Sequence, residues 1–258
     1  MKIRINLLII FKFIFLFQKM DLNKVPTQDL LAEVTRREKC ESMPRKNIIL
    51  LGPPGSGKGT QANNILRDFC YCQISTGDLL RENVAKKTPA GLKAKEAMDA
   101  GQLVSDSIVN EILVNGMKAP SCERGIIFDG YPRNVEQSKN LVQLLNLVGK
   151  KLHHVIELKV NSEELYERIE GRRIHTKSGR SYHVKFNPPK REGFDDVTGE
   201  PLIHRDDDKR DVLKGRLDVY NLKTAPIAGF YKNLGSLTTI QATGPINTIY
   251  SQVRNVLI

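Results

Sequence analysis

Short apolar runs alternate along this chain with segments whose apolar positions recur every three or four residues. Five such runs predict buried strands, because strands covered on both faces are apolar without alternation: 47–51, 72–74, 125–129, 154–160 and 237–241. The helical spacing predicts helices at 60–69, 76–118 with breaks near 89–91 and 101, 134–148, 162–171, 209–232 and 246–257. This alternation predicts an α/β fold with a doubly wound parallel sheet.

Residues 173–208 interrupt this alternation. They are rich in Gly, Pro, Lys, Asp and His, and they contain short β-like pieces such as 180–185. The segment is therefore predicted to be a small module inserted into the sheet domain.

The N-terminal residues follow neither pattern. Residues 5–17 are almost wholly apolar, with Lys12 inside them, but they are fewer than the roughly 20 apolar residues that a spanning helix needs. The basic residues before this run resemble a short targeting segment, and the alternative is that translation starts at Met20. We expect an N-terminal extension over 1–45, with an appendage helix at 21–40, and no membrane span in the remaining core.

Charge and cysteine content narrow the classes of partner. The net charge of the 258 residues is +11, and residues 1–46 contribute +5 of it through ten Lys/Arg and five Asp/Glu. Because no basic block with interleaved aromatic residues follows, we expect no nucleic-acid partner. Four scattered cysteines, without a C-x-x-C pair or zinc-ligand spacing, predict free buried thiols: Cys40, Cys70, Cys72 and Cys122.

A glycine-rich loop, GPPGSGKGT at 52–60, follows the first predicted strand and opens a helix. In that context glycines let backbone N–H groups surround phosphates, and Lys58 supplies a positive charge. The place after the lysine, where Ser or Thr usually holds Mg²⁺, is Gly59, and Thr60 follows it. We therefore expect Mg²⁺ to be held through water and a carboxylate, that of Asp129 at a strand end.

Several motifs in this order resemble the adenylate kinase family over residues 46–258. Besides the loop they are QISTGDLLR at 73–81, DGYPR at 129–133, GRR at 171–173, YHVKFNPPK at 182–190 and DDVTGE at 195–200. The resemblance implies an AMP-binding segment at 75–104 and a mobile lid at 171–208. The lid contains no cysteine, so we expect the polar type without structural zinc, held by His175, Ser178, Asp195 and Thr198.

The resemblance also implies site residues for a reaction that converts ATP and AMP into two ADP with Mg²⁺. The implied catalytic residues are Lys58, Arg133, Arg168, Arg172, Arg205, Arg216 and Asp129. The implied ATP-binding residues are Gly55, Ser56, Gly57, Lys58, Gly59, Thr60, Arg172, Ser181, Tyr182 and Gly244. The implied AMP-binding residues are Thr76, Arg81, Gln102, Leu103, Val104, Gly130, Tyr131, Pro132, Arg133, Gln137, Arg205 and Arg216. Arginine suits these places because its planar fork donates two hydrogen bonds to one phosphate.

Some alternatives remain at this stage. Gln137 would pair with adenine, Gly244 would contact ATP through its backbone, and Tyr182 would either cover the base or belong to the lid core. A UMP/CMP or GMP kinase, a GTP donor and a non-catalytic nucleotide sensor are the competing functions, whereas a GTPase would need an N-K-x-D motif that the chain lacks. We expect a cytoplasmic monomer, with mitochondrial or secretory targeting through 1–20 as the alternative.

Overall fold

The structure, a computed structural model, describes residues 25–99 and 104–258. The predicted apolar segment at 5–17, the start of the appendage helix, Gln102 and Leu103 lie outside the described residues. The chain divides after Ser42, and its two parts are described separately. The first part contains helix α1, Thr27–Ser42, in which Leu31 and Val34 are exposed.

The second part is built on a parallel sheet. Its strands are β1 (Asn47–Leu51), β2 (Cys72–Ser75), β3 (Ile126–Asp129), β4 (His154–Lys159) and β7 (Leu237–Gln241). They lie in the order β2-β3-β1-β4-β7, and every neighbouring pair is parallel. The predicted α/β fold and its five strands are thereby confirmed.

Helices cover both faces of this sheet. They are α2 (Lys58–Phe69), α3 (Thr76–Ala85), α4 (Pro89–Asp99), α5 (Asp106–Met117), α6 (Val135–Leu147), α7 (Ser162–Glu170), α8 (Arg210–Val219), α9 (Pro226–Asn233) and α10 (Ile246–Leu257). Short 3₁₀ turns occupy Pro120–Cys122 and Asp206–Asp208.

The central strand β1 is almost wholly apolar because both of its faces are buried. Ile49 and Leu51 belong to one buried cluster, whereas Ile48 and Leu50 belong to the cluster on the opposite face. Burying each such side chain contributes about 1.5–3 kcal/mol relative to exposure. Packing on both faces of β1 therefore holds the strand in place. It also fixes the position of the end of β1, where the polar loop begins.

The region predicted as an insertion contains a separate small sheet. Strand β5 (Arg172–Ile174) pairs antiparallel with β6 (Ser181–His183), and isolated bridges join Ile174 to Ile203 and Phe194 to Pro201. The predicted limits of this lid, 171–208, and of the AMP-binding segment, 75–104, remain predictions.

The helical pattern predicted at 209–232 is confirmed, but the segment is not one regular helix. A π-helical turn, Tyr220–Thr224, separates α8 from α9. The apolar side of α8 packs against α7 in a small cluster through Leu213 and Leu217, whereas α9 inserts Ile227 and Tyr231 into the main core. The wider turn lets the two segments present differently oriented faces.

The prediction of free cysteines is also wrong. Cys72, in β2, and Cys122, in the 3₁₀ turn, form a disulfide with a Cα–Cα distance of 4.8 Å. No cysteine in residues 25–99 and 104–258 is free. The partners are 50 residues apart, and only the folded chain brings the start of β2 beside that turn, so spacing in the sequence did not reveal the pair.

Close packing beside β3 generates a stability prediction. A Cβ at Gly125 would overlap the backbone oxygen of Lys46 and lie 2.6 Å from the ring of Tyr71. We expect Gly125→Ala to lower the free energy of unfolding by about 1–3 kcal/mol, as overpacking does. Gly229→Ala, in helix α9 with no atom within 4 Å, is the matched control and should raise it by about 0.5–1 kcal/mol. Urea denaturation midpoints measure both changes, and equal midpoints for the two variants would contradict this account of the packing.

Candidate active site

A cleft opens at the carboxyl ends of the parallel strands. Its volume is about 1490 Å³, and the loop after β1, the end of β2 and the end of β3 all contribute to its wall. In open α/β sheets this edge is where ligands bind, because the loops between strands and helices separate there.

The phosphate-loop sequence forms the floor of the cleft. Gly57 precedes α2 with φ of 93°, a left-handed conformation that residues with a Cβ rarely adopt. The Lys58 ammonium donates to the backbone oxygens of Gly52 at 2.7 Å and Pro53 at 2.9 Å. Burial lowers the pKa of Lys58 to about 8, although the nearby Asp129 carboxylate opposes the shift.

Asp129 ends strand β3 and faces the same cleft. Its Oδ2 accepts a hydrogen bond from the Gln73 amide at 3.0 Å, and among the described residues none donates to Oδ1. Burial raises the pKa of this carboxyl group, while Lys58 opposes the shift. A positively charged ligand would favour the ionised carboxylate, so Asp129 is suited to a hydrated divalent cation.

One aspartate of the cleft, Asp78, pairs with two of its arginines. Asp78 accepts hydrogen bonds from both Arg81 and Arg205, each at 2.7 Å. Burial alone would raise the pKa of Asp78 and lower that of Arg81. The neighbouring opposite charges outweigh burial, so the pKa of Asp78 is lowered and that of Arg81 is raised. Burial and the Arg81 charge lower the pKa of Arg205 to about 10.

Two further aspartates, Asp207 and Asp208, hold Arg172 and Arg216. Asp208 is buried and accepts two hydrogen bonds from the guanidinium of Arg172. Arg216 lies 3.3 Å from Asp208, and it donates to the backbone oxygen of Asp207 at 2.7 Å. These bonds fix the directions in which both guanidinium groups point.

Arg133 has a different environment. Its Nε donates to the backbone oxygen of Gly130 at 2.7 Å, and within the described chain no carboxylate forms an ion pair with it. Burial, followed by repulsion from Arg216 and Arg81, lowers the pKa of Arg133 to about 10. Arg168 is paired, because it donates to Glu164 at 3.0 Å and to the backbone oxygen of Ala242 at 2.8 Å.

Most of the predicted site residues line this one cleft. They are Gly55, Ser56, Gly57, Lys58, Gly59, Thr60, Arg81, Val104, Asp129, Gly130, Tyr131, Pro132, Arg133, Arg168, Arg172, Ser181, Tyr182, Arg205, Arg216 and Gly244. Thr76 and Gln137 are not part of the wall: both are buried, and the Thr76 hydroxyl donates to the backbone oxygen of Gly130 at 3.0 Å. The predicted contacts of these residues with nucleotides remain predictions.

The lid segment is held by buried polar groups. Asp195 accepts hydrogen bonds from Arg180 at 2.6 and 2.8 Å, from the Tyr182 hydroxyl at 3.0 Å, and from the backbone and hydroxyl of Thr198 at 2.8 and 2.9 Å. These donors, Arg180 above all, hold the pKa of the Asp195 carboxyl far below its usual range. His175 bonds Ser178 through Nδ1 and Glu200 through Nε2, both at 2.7 Å.

The sequence left open whether Tyr182 covers the nucleotide base or belongs to the lid core, and the structure places it at the boundary between the two. Its hydroxyl belongs to the polar core of the lid segment, yet the residue also lines the cleft.

Comparison with known proteins agrees with this geometry. The family model of adenylate kinase matches residues 50–236. The chain is 49% identical to adenylate kinase 4 of Oryza sativa subsp. japonica over 92% of its own length and 98% of the relative. It is 48% identical to adenylate kinase 4 of Arabidopsis thaliana (92% and 96%) and 47% identical to adenylate kinase of Kluyveromyces lactis (80% and 91%).

The chain belongs to the adenylate kinase family. It is a nucleoside monophosphate kinase, and its reaction is reversible phosphoryl transfer between adenine nucleotides. Adenylate kinases generally use a divalent metal for this transfer. None of the helices described is both long and apolar enough to cross a membrane.

Apart from Asp129, the sequence did not single out the acidic residues of this adenylate kinase site. Asp78, Asp207 and Asp208 hold the arginines, but an aspartate near a basic residue in sequence is common on any surface. The one available signal was the run Asp206-Asp207-Asp208 between two predicted arginines, since adjacent like charges need nearby cations when they are not fully exposed.

Asp195 generates a pH prediction for the lid segment of this adenylate kinase. We expect Asp195→Asn to increase amide hydrogen exchange across residues 172–205, because the neutral amide cannot serve the same donors. Since the folded pKa of Asp195 is lowered, the wild-type contribution is complete above the unfolded pKa of about 4 and is lost progressively as pH falls below it. The difference between variant and wild type should therefore shrink on acidification.

Glu192→Gln is the matched control for this experiment, because Glu192 is an exposed acid of the same segment. It should leave exchange unchanged. Equal exchange for the two variants at pH 7 would show that Asp195 does not organise the segment.

Proposed function

We propose that this chain transfers the γ-phosphoryl group of ATP to AMP, giving two ADP, with Mg²⁺ as the metal cofactor, and that it thereby balances the adenine nucleotide pool. One observation supports the proposal most directly. Of the cations that line the described cleft, Lys58 and Arg133 have no carboxylate partner. Both lie where burial lowers their pKa, and Asp129 lies near both.

Two partly buried cations that form no ion pair within the described residues indicate that the ligand is an anion. Burial disfavours their charged forms, and an anion between them would restore the balance. The phosphate loop and its Lys58 suit the phosphates of a nucleotide donor, since successive N–H groups and the start of a helix attract anions. Arg133, which lines the same cleft, suits the phosphate of the acceptor.

The paired arginines complete this arrangement. In the proposed reaction Arg81 and Arg205 contact the acceptor phosphate, while Arg172 and Arg216 stabilise charge on the phosphoryl group as it moves. Each is already oriented by an aspartate, so little reorganisation accompanies binding. Arg168, held by Glu164, contributes from the ATP side.

Asp129 is the residue proposed to hold Mg²⁺, through water. The free Oδ1 and the burial of this carboxyl group fit a hydrated cation, and Gly59 leaves the phosphate loop without the usual hydroxyl at that place. A metal held there would supply positive charge that offsets the negative charge developing on the phosphates. Gln73 orients Asp129 for this role through its hydrogen bond.

The proposed nucleotides rest on the remaining predicted contacts. On the ATP side these are Ser181, Tyr182 and the backbone of Gly244, which all line the cleft. On the AMP side they are Thr76, Val104 and Gln137, together with Gln102 and Leu103 outside the described residues. GTP as donor and GMP, CMP or UMP as acceptor are the competing substrates.

The reaction is tested by pairing each donor with each acceptor and measuring diphosphate formation. We expect ATP with AMP to give the highest kcat/KM, and removal of Mg²⁺ by a chelator to abolish turnover. Lys58→Ala and Arg133→Ala should each lower kcat/KM by about 10²–10³, because each removes a charge aimed at a phosphate. Lys139→Ala, an exposed lysine paired only with Glu136, is the control and should be unaffected. Retained turnover in Lys58→Ala, or a higher kcat/KM for another acceptor, would refute the proposal.

We also propose that the protein acts as a monomer in the cytoplasm. We expect the mass in light scattering to equal one chain of 29.1 kDa, or that chain without its first residues. Subcellular fractionation, with N-terminal sequencing of the native protein, should recover it in the soluble cytoplasmic fraction. Recovery in mitochondria or in a secretory organelle would instead support targeting through 1–20.

A further inference from the structure

The amide of Gln137 is held at both ends. Its Oε1 accepts a hydrogen bond from the backbone N–H of Arg133 at 2.7 Å, and its Nε2 donates to Oδ1 of Asp106. Gln137 lies in the first turn of α6, where its own N–H is capped by Asn134 at 2.8 Å. Its exposed fraction is 4%, so these partners determine how the amide is oriented.

The two partners permit only one orientation. A backbone N–H can only donate, so it must meet the oxygen of the amide, and an ionised carboxylate can only accept, so it must meet the nitrogen. Turning the amide by 180° would place donor against donor at Arg133 and acceptor against acceptor at Asp106. After both internal bonds are made, one N–H and one oxygen lone pair of the amide remain.

The remaining N–H and oxygen lone pair of the Gln137 amide can distinguish one purine from another if the amide cannot turn. The pairing edge of adenine offers an amino donor and a ring-nitrogen acceptor, whereas guanine offers an oxygen acceptor and a ring N–H donor in the corresponding places. An amide that could turn would serve both bases equally well. A fixed amide serves one base and meets the other with like groups, which is how buried polar groups reject an analogue.

We propose that Asp106 is a positioning residue that fixes the Gln137 amide and thereby makes the enzyme select a 6-amino purine over a 6-oxo purine as acceptor. The inference rests on the proposed function, because it assumes that Gln137 reads the acceptor base. Asp106 begins helix α5, and it reaches Gln137 across the boundary between α5 and α6. A second hydrogen bond links the same two helices, because Oδ1 of Asn110 in α5 accepts from Asn140 in α6 at 3.0 Å. This bond helps to fix the position of α5, from which Asp106 extends.

The test compares AMP with GMP as acceptor, with ATP as donor, in wild type and Asp106→Asn. An asparagine can turn its own amide to suit either orientation of the glutamine, so one of the two bonds that distinguish the orientations is lost and only the Arg133 N–H remains selective. Such a bond changes an equilibrium by about tenfold or more. We expect the ratio of kcat/KM for AMP to that for GMP to fall about tenfold, through KM for AMP, with KM for ATP unchanged.

Two further variants separate positioning from a structural role. Glu136→Gln, which removes an exposed carboxylate beside Gln137 that pairs only with Lys139, should leave the ratio unchanged. In a Gln137→Ala background, Asp106→Asn should have little further effect on the ratio, because residues that act as one unit are not additive. If Asp106→Asn does not fold cooperatively, Asp106→Ser, whose side chain is too short to reach Gln137, replaces it with the same expectation.

The outcomes distinguish this inference from the proposed function. A wild-type enzyme that does not phosphorylate AMP would refute the proposed function. A wild-type enzyme that prefers AMP, combined with variants in which KM rises equally for AMP and GMP, would overturn the role of Asp106 alone. Additive effects of Asp106→Asn and Gln137→Ala would overturn it as well.

Discussion

Repulsion among cations gathered at one place is the constraint on which this active site depends. Arg81, Arg172, Arg205 and Arg216 share a cleft with Lys58 and Arg133, and burial lowers the pKa of several of them. Asp78, Asp207 and Asp208 compensate for this by pairing with four of the arginines. These pairs keep the arginines charged and oriented, and they leave two cations for the ligand. The positive surplus of the site is therefore local, whereas the net charge of the chain reveals little about it.

The parallel sheet determines where this charge is concentrated. The ends of β1, β2 and β3 reach the same edge, so the phosphate loop, the segment with Asp78 and Asp129 meet there although the sequence separates them widely. The burial of β1 on both faces holds this edge rigidly. A rigid edge with longer segments above it fits an enzyme that must exclude water from a phosphoryl group during transfer.

The sequence predicted those parts of the structure that depend on local pattern. The strand at 47–51 was predicted with its observed limits, because five consecutive apolar residues before a glycine loop admit few other conformations. The fold class followed from such runs, and the family resemblance implied most of the residues that line the cleft. Features that depend on contacts between distant segments were missed: the disulfide of Cys72 with Cys122, the pairing of Asp207 and Asp208 with arginines, and the burial of Gln137 behind the cleft wall. No periodicity records which distant residue lies opposite a given side chain.

The π-helical turn at Tyr220–Thr224 has a consequence for how this region tolerates changes in length. In a regular helix each residue advances the direction of the side chains by about 100°. The additional residue within this turn therefore determines the angle around the helix axis between Arg216, which faces the cleft, and Ile227, which faces the core. Deleting one residue there would preserve a helix but rotate everything after it away from its packing partners. Insertions and deletions should consequently be better accepted at the glycine turn near 235 than inside a segment that looks, by composition, like ordinary helix.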